Sequence, residues 1–337
     1  MCDNRGDDYR FLEEALPNTA KDLNAEPVYA SYASIEPTGQ RVRFARMCPT
    51  TTLWKNEINQ ICKKLHSDFG MDGIYLDVVS TSYTECCDEN HLHEPGYGSF
   101  WRKAYGELIA GLRADAPDDF AVVSEATSEV YTGMLDGMLS WFWVQPDSVP
   151  ALASIYDGYT NLFGRVITQN KRNDAGYFKF MIAQSLVYGQ QLGWIHPEIV
   201  NDPVQFPFLK KMAQLRYENA EFFCEGIMLR PPLVDGQLEL LDTEPNLRGQ
   251  VWHHDKLVVA GGFEDAKGQR KLFVVNAGSS AAEVAIRVYA EEYRLPDNLI
   301  QFTEEVGLTL VKVETSNGIS TLHCQIAPEG YGVLTWK

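Results

Sequence analysis

Apolar residues in the first two thirds of the chain follow two alternating patterns. Met71-Asp-Gly-Ile-Tyr-Leu-Asp77 and Phe120-Ala-Val-Val-Ser-Glu125 are short apolar runs that stop on a carboxylate, the pattern of a parallel strand buried on both faces. Between them, residues 99–114 place Trp101, Tyr105, Leu108 and Leu112 on one stripe of a helix. Strand, crossover helix and strand form a βαβ unit, whose two strands run parallel and are usually neighbours. Upstream, residues 52–69 repeat the helical spacing through Trp54, Ile58, Ile61 and Leu65. They follow two β segments, 27–35 and 41–47, set around the turn-like Glu36-Pro-Thr-Gly39. Residues 8–24 read as helical. Downstream, strand 135–142, helix 147–160, strand 165–168, helix 175–188 and strand 190–195 continue the alternation, which predicts a parallel α/β architecture.

From about residue 227 the pattern changes to short alternating runs broken by Gly, Asn and Asp, at 236–241, 250–253, 256–261, 271–276, 282–288, 308–314, 319–326 and 332–336. Such spacing predicts an antiparallel β-sandwich. The fold expected is therefore an α/β (β/α)8 TIM-type barrel over residues 1–227, followed by a sandwich domain over 228–337. About six barrel-type strands can be counted where a closed barrel takes eight, so the barrel is expected to lack its first strands and the chain to be incomplete at its N-terminus.

Size supports two bodies, since 337 residues exceed what one core usually serves. The formal charge of −17, from 46 acidic and 29 basic residues, repels phosphate backbones and anionic lipid, which excludes nucleic-acid and membrane partners. The start MCDNRGDDYR lacks the apolar core of a signal peptide and no apolar run is long enough to span a bilayer. The chain as it stands reads as cytoplasmic, or as exported if a leader precedes it. Seven cysteines show no regular disulfide spacing.

In a (β/α)8 barrel the C-terminal ends of the strands face the active site, so the paired strand-end acids suggest catalysis. Adjacent strands lie about 4.8 Å apart, which favours the ~5–5.5 Å carboxyl separation of retaining glycosidases over the wider one of inverting enzymes. Asp77 is placed as nucleophile and Glu125 as general acid, its proton held by burial and a neighbouring charge. If the chain after 125 is helical, Glu129 shares a face with Glu125 and becomes a substrate-binding acid or its competitor. Asp136 precedes its strand, which gives it a turn role.

Aromatic residues fall in loop-like places, Tyr83, Tyr97, Trp101, Trp141, Trp143 and Trp194; core packing accounts for most of them, and the sharper reading is a set of flat apolar platforms for sugar rings. The loop Cys86-Cys-Asp-Glu-Asn-His-Leu-His93 invites a metal reading, but its spacing matches no standard zinc pattern. Sugar-hydroxyl hydrogen bonding by His91 or His93 is preferred, with loop ordering for the rest. No metal and no cofactor are expected.

These residues also carry a resemblance. With Met47-Cys-Pro, Trp54, Asp72-Gly-Ile-Tyr-Leu-Asp77, Cys87…His91-Leu-His93…Gly96-Tyr-Gly98…Trp101, Ser124-Glu-Ala-Thr-Ser-Glu129 and Leu139-Ser-Trp141, the chain resembles a family of largely uncharacterised, mostly bacterial glycoside hydrolases. These carry a domain of unknown function and have a (β/α)8 barrel related to the α-amylase and endo-α-N-acetylgalactosaminidase type. The resemblance implies a nucleophile after the fourth strand, Asp77, an acid/base after the fifth, Glu125, and a β-sandwich behind. It also implies action on α-linked sugars.

The function expected is that of a retaining glycosidase acting on O-glycosidic linkages of oligo- or polysaccharides or glycoconjugates. Two rivals remain, a non-catalytic carbohydrate-binding protein with a truncated barrel and a metal-dependent barrel hydrolase.

Overall fold

The computed structural model describes residues 2–3, 10–37, 39–81, 83–140, 150–156, 158–164, 174–193, 195–242, 254–296, 299–304 and 307–336. The chain divides into two compact units, Met1–Asp136 and Gly137–Lys337.

In the first unit, β1 (Cys2–Asp3), β2 (Tyr29–Ile35) and β3 (Arg41–Ala45) form an antiparallel sheet in the order β1-β3-β2. The β2–β3 hairpin closes where the Glu36 N–H donates to the Gln40 carbonyl at 2.8 Å, and Gly39 takes the positive φ of 85° that its turn requires. Segment 41–47 was expected as a barrel strand; instead Arg41–Ala45 pairs antiparallel on both sides. Its preference for a strand was legible, but its partner was set by the short turn. The helix expected over 8–24 is reduced to one π-helical turn, Phe11–Ala15, and a 3-10 turn, Leu16–Asn18, because Pro17 cannot continue the hydrogen-bond ladder.

Helix α1 (Thr52–Phe69) ends on Gly70 at φ 64°, whose N–H and that of Met71 donate to the His66 and Leu65 carbonyls. This left-handed stop releases the chain directly into β4 (Gly73–Leu76). Helix α2 (Phe100–Asp115) buries Trp101, Ala104, Tyr105, Leu108, Ile109 and Leu112, the stripe expected, and leads into β5 (Ala121–Glu125). β4 and β5 pair in parallel, with Gly73 opposite Ala121 and Leu76 opposite Ser124. Asp136 has the structural role expected of it, since its Oδ2 accepts from the Val122 N–H at 2.7 Å and from Arg113 at 2.8 Å.

The second unit opens with a further parallel pair, β6 (Gly137–Leu139) and β7 (Asn161–Phe163), on either side of α3 (Ala151–Tyr156). Helix α4 (Ala175–Val187) is buried almost all round. Helix α5 (Gln205–Glu218) packs against it, and α6 (Ala220–Phe223) follows. The sequence pattern did not reveal α5, whose apolar and polar residues are poorly separated into faces. The strand expected over 190–195 is reduced to a single parallel bridge, Phe163 to Gln191, and the one expected over 165–168 lies outside the described residues.

The remaining strands are β8 (Ile227–Met228), β9 (Leu233–Gly236), β10 (Leu240–Asp242), β11 (His254–Lys256), β12 (Val258–Glu264), β13 (Arg270–Asn276) and β14 (Ala282–Tyr289). After the short α7 (Ala290–Tyr293) come β15 (Leu299–Glu304), β16 (Gly307–Ser316), β17 (Ile319–Ile326) and β18 (Tyr331–Trp336). Nine of these strands form one antiparallel sheet, in the order β8-β12-β13-β18-β15-β16-β17-β14-β9. It curls on itself, so that Leu272 and Val274 of β13 share a core with Val284 and Ile286 of β14. The curl is carried by β16, whose first six residues pair with β15 and whose last four pair with β17.

One close approach fixes the first unit. A Cβ built on Gly73 would lie 2.7 Å from the Ala121 carbonyl oxygen and 2.9 Å from its Cβ. Gly73→Val should force β4 and β5 apart and cost about 1–3 kcal/mol, read as a lower urea midpoint at unchanged slope. An unchanged midpoint would show that the pair can shift without cost.

Candidate active site

The continued β4–β5 register sets Asp77 and Glu125 at the same level, each as the first residue beyond a paired position or the last of its strand. Both belong to the Met1–Asp136 unit. Their carboxyl groups are hydrogen-bonded to each other, and the Val78 backbone N–H donates to Glu125.

The backbone just beyond each acid is unusual. Val78 has φ 69° and Ala126 has φ 60°, left-handed values in residues that carry a Cβ. A β-branched residue there is a genuine outlier, costing on the order of 1–3 kcal/mol. Two buried serines hold these turns in place. Ser124 Oγ donates to the Leu76 carbonyl at 2.6 Å, and the Ser80 hydroxyl donates to the Ala126 carbonyl at 3.0 Å and, by a shorter bond, to that of Glu125. The Ser80 N–H returns to Ser124 Oγ at 3.3 Å. Neither serine was singled out from the sequence; the available signal was a small hydroxyl within three residues of each acid.

Asp77 is exposed and lines a cavity of about 600 Å³. Its wall includes Tyr32, Arg46, Trp54, Tyr75, Trp101 and Tyr105, so the apolar stripe of α1 faces this space. Ile61 of that stripe is 49% exposed for this reason. Arg46 is oriented by Thr84, to whose Oγ1 it donates at 2.6 Å. Glu125 is only 9% exposed. Burial, then the Asp77 charge, then the hydrogen bond with Asp77 raise its pKa above the ordinary glutamate value.

The other expected ligand-contacting residues separate. Trp101 is buried on the cavity wall, and its indole N–H has no hydrogen-bond partner among the described residues. Tyr97 is 71% exposed in the preceding loop. Glu129 is exposed and opens a 3-10 turn, Glu129–Tyr131, so it shares no helix face with Glu125; the Ala126 turn breaks the chain first. Trp141, Trp143 and Trp194 lie outside the described residues.

His91 and His93 are occupied elsewhere. His91 Nδ1 lies 3.2 Å from Cys86 Sγ, and His93 Nε2 lies 3.4 Å from Cys48 Sγ. The ligand atoms of Cys48, Cys86, His91 and His93 all fall within 4.8 Å of one another. Cys48 was not connected with this loop in the sequence because it follows β3, far upstream. A hydrogen bond with the Cys48 thiol favours Cys86 as the thiolate against the opposing effect of burial, while Cys48 keeps its proton.

Residues 4–167 match the family described as "Domain of unknown function (DUF6259)". A protein of Bacteroides thetaiotaomicron named "Putative glycoside hydrolase" is 25% identical over 256 residues, which cover 71% of this chain and 36% of that protein. Another from Monosiga brevicollis, "Putative glycoside hydrolase 22789", is 27% identical over 167 residues, covering 48% of this chain and 14% of that one. The chain thus spans well under half the length of either relative.

Among solved structures, a Paenibacillus cycloisomaltooligosaccharide glucanotransferase superposes with a TM-score of 0.62 at 9% identity, covering 98% of this chain and 71% of that one. A noncanonic maltogenic α-amylase from Thermotoga neapolitana gives 0.54 at 11%, covering 97% and 73%. At such identities the likeness is one of fold. No helix among the described residues is long and apolar enough to cross a membrane.

The raised Glu125 pKa has a thermodynamic consequence. A carboxyl that holds its proton more tightly when folded contributes stability that is full below the ordinary glutamate range and is lost as pH rises through the raised value. Glu125→Gln carries no such loss. It should match wild type near the ordinary glutamate pKa and unfold at progressively higher temperature than wild type as pH rises to neutrality. Equal melting temperatures across that range would contradict the raised affinity.

Proposed function

We propose that this chain carries the catalytic centre of a retaining glycoside hydrolase acting on O-glycosidic, α-configured linkages of oligo- or polysaccharides or glycoconjugates. Residues 1–227 form its catalytic region and 228–337 an accessory sheet domain. The observation that carries the reading is the pair of acids at matched ends of adjacent parallel strands, one buried and proton-retaining, the other open to an aromatic-walled cavity. The names of the relatives and the fold of the structural neighbours support it.

In this mechanism the glycosidic oxygen replaces Asp77 as the hydrogen-bond partner of Glu125 and receives its proton as the bond to the anomeric carbon breaks. Asp77, released from that contact, attacks the anomeric carbon to form a glycosyl ester. Glu125, now a carboxylate, takes a proton from water, which displaces Asp77 and regenerates the acid. Trp101 and the tyrosines wall the cavity as sugar platforms.

Aryl α-glycosides test the roles directly. Asp77→Asn and Glu125→Gln should each lower kcat by at least ~10²-fold, and NMR of the first-formed sugar should show the substrate's anomer. Turnover preserved in both variants, or an inverted first product, would overturn the assignment. Sugar binding by a wild-type chain without turnover would identify the non-catalytic rival.

A further inference from the structure

We propose that Cys48, Cys86, His91 and His93 are the four ligands of a structural zinc ion that fastens the long loop between β4 and α2 to the N-terminal segments. The argument is geometric. Two sulfurs and two imidazole nitrogens form the borderline-soft donor set that zinc favours, and their ligand atoms lie within 4.8 Å of one another. A tetrahedral zinc with ordinary bond lengths sets neighbouring S and N donors about 3.5 Å apart. The Cys86–His91 and Cys48–His93 separations are 3.2 and 3.4 Å.

The far nitrogens strengthen the case. Nδ1 of His91 faces Cys86 while its Nε2 lies 3.1 Å from the Pro17 carbonyl. Nε2 of His93 faces Cys48 while its Nδ1 lies 2.8 Å from the Glu94 carbonyl. Each ring thus donates its other N–H to a carbonyl, the arrangement that fixes the tautomer of a metal-bound histidine and leaves the inward nitrogen as a lone-pair donor.

The surroundings suit a closed structural site. Both cysteines are fully buried, and the ring of His93 stacks on Phe100 at 3.8 Å between centroids. Cys48 and Cys86 pack with Ala20 and Phe100. Backbone bonds bring the same strands of chain together: Cys48 N–H to Asn18, Cys87 N–H to Lys21, and the reciprocal Cys86–Gly96 pair. Four protein ligands leave no open position, so the ion would not activate water, and its role is separate from that of the acids. The ion would brace a loop of over twenty residues, Asp77 to Ser99, whose described residues include one isolated bridge, Cys86 to Gly96.

The test uses the full chain, purified without a histidine tag from cells supplied with zinc, and measures metal by mass spectrometry. About one zinc per chain is expected, falling at least ~10-fold in Cys48→Ser and in His93→Ala, but not in Cys224→Ser, where the thiol is exposed and lies outside the cluster. Because the variants can fail to fold, wild type is also exchanged with cobalt. Tetrahedral d–d absorption and thiolate charge-transfer bands are expected, together with a lower melting temperature after chelation. Wild type that holds no stoichiometric zinc and shows no thiolate–cobalt bands would overturn the proposal. So would a Cys48–Cys86 disulfide in the protein as purified, or a variant that retains the full zinc content.

Discussion

The pairing of β4 with β5 is the constraint from which the site follows. Parallel strands in register carry whatever stands beyond them to a common level, so Leu76 opposite Ser124 places Asp77 beside Glu125. The close approach depends on Gly73, where the facing Ala121 backbone leaves no room for a side chain. The peptide chain then turns through left-handed Val78 and Ala126, conformations braced by the hydrogen bonds of Ser80 and Ser124. Pairing, strain and buried hydroxyls therefore act together to hold two acids in contact, against their mutual repulsion once both ionise.

Burial assigns different tasks to the two groups. Glu125 sits low in the strand end and loses most of its solvent, while Asp77 remains exposed beside the cavity. A proton shared by such a pair rests more readily on the less solvated member. The cavity combines aromatic walls with a few polar side chains, Arg46 and Asp77 among them, a mixture common to small-molecule sites.

Much of the first unit was legible in the sequence because its elements follow local rules. The stripe of Trp101, Tyr105, Leu108 and Leu112 became the buried face of α2, and the apolar runs ending at Asp77 and Glu125 became paired strands. Other features depend on partners far along the chain and leave no periodic trace. Residues 41–45 carry the same β signal whether they join a parallel sheet or fold back in a hairpin, and the four-residue turn at Glu36 decided for the hairpin. The same holds for Cys48, whose proximity to His93 arises from tertiary folding across 45 positions. The stripe of α1 was read correctly as a helix, and its Ile58, Ile61 and Leu65 border the cavity.

The curled sheet of the second unit has one strand that serves two faces. β16 bonds to β15 over its first part and to β17 over its last four residues, so the two faces share continuous backbone as well as a common core. Neither face can open without pulling on the hydrogen bonds of the other. Unfolding of this body is thereby made cooperative: heat or denaturant should melt it in a single step, and a cut within β16 would release both faces at once.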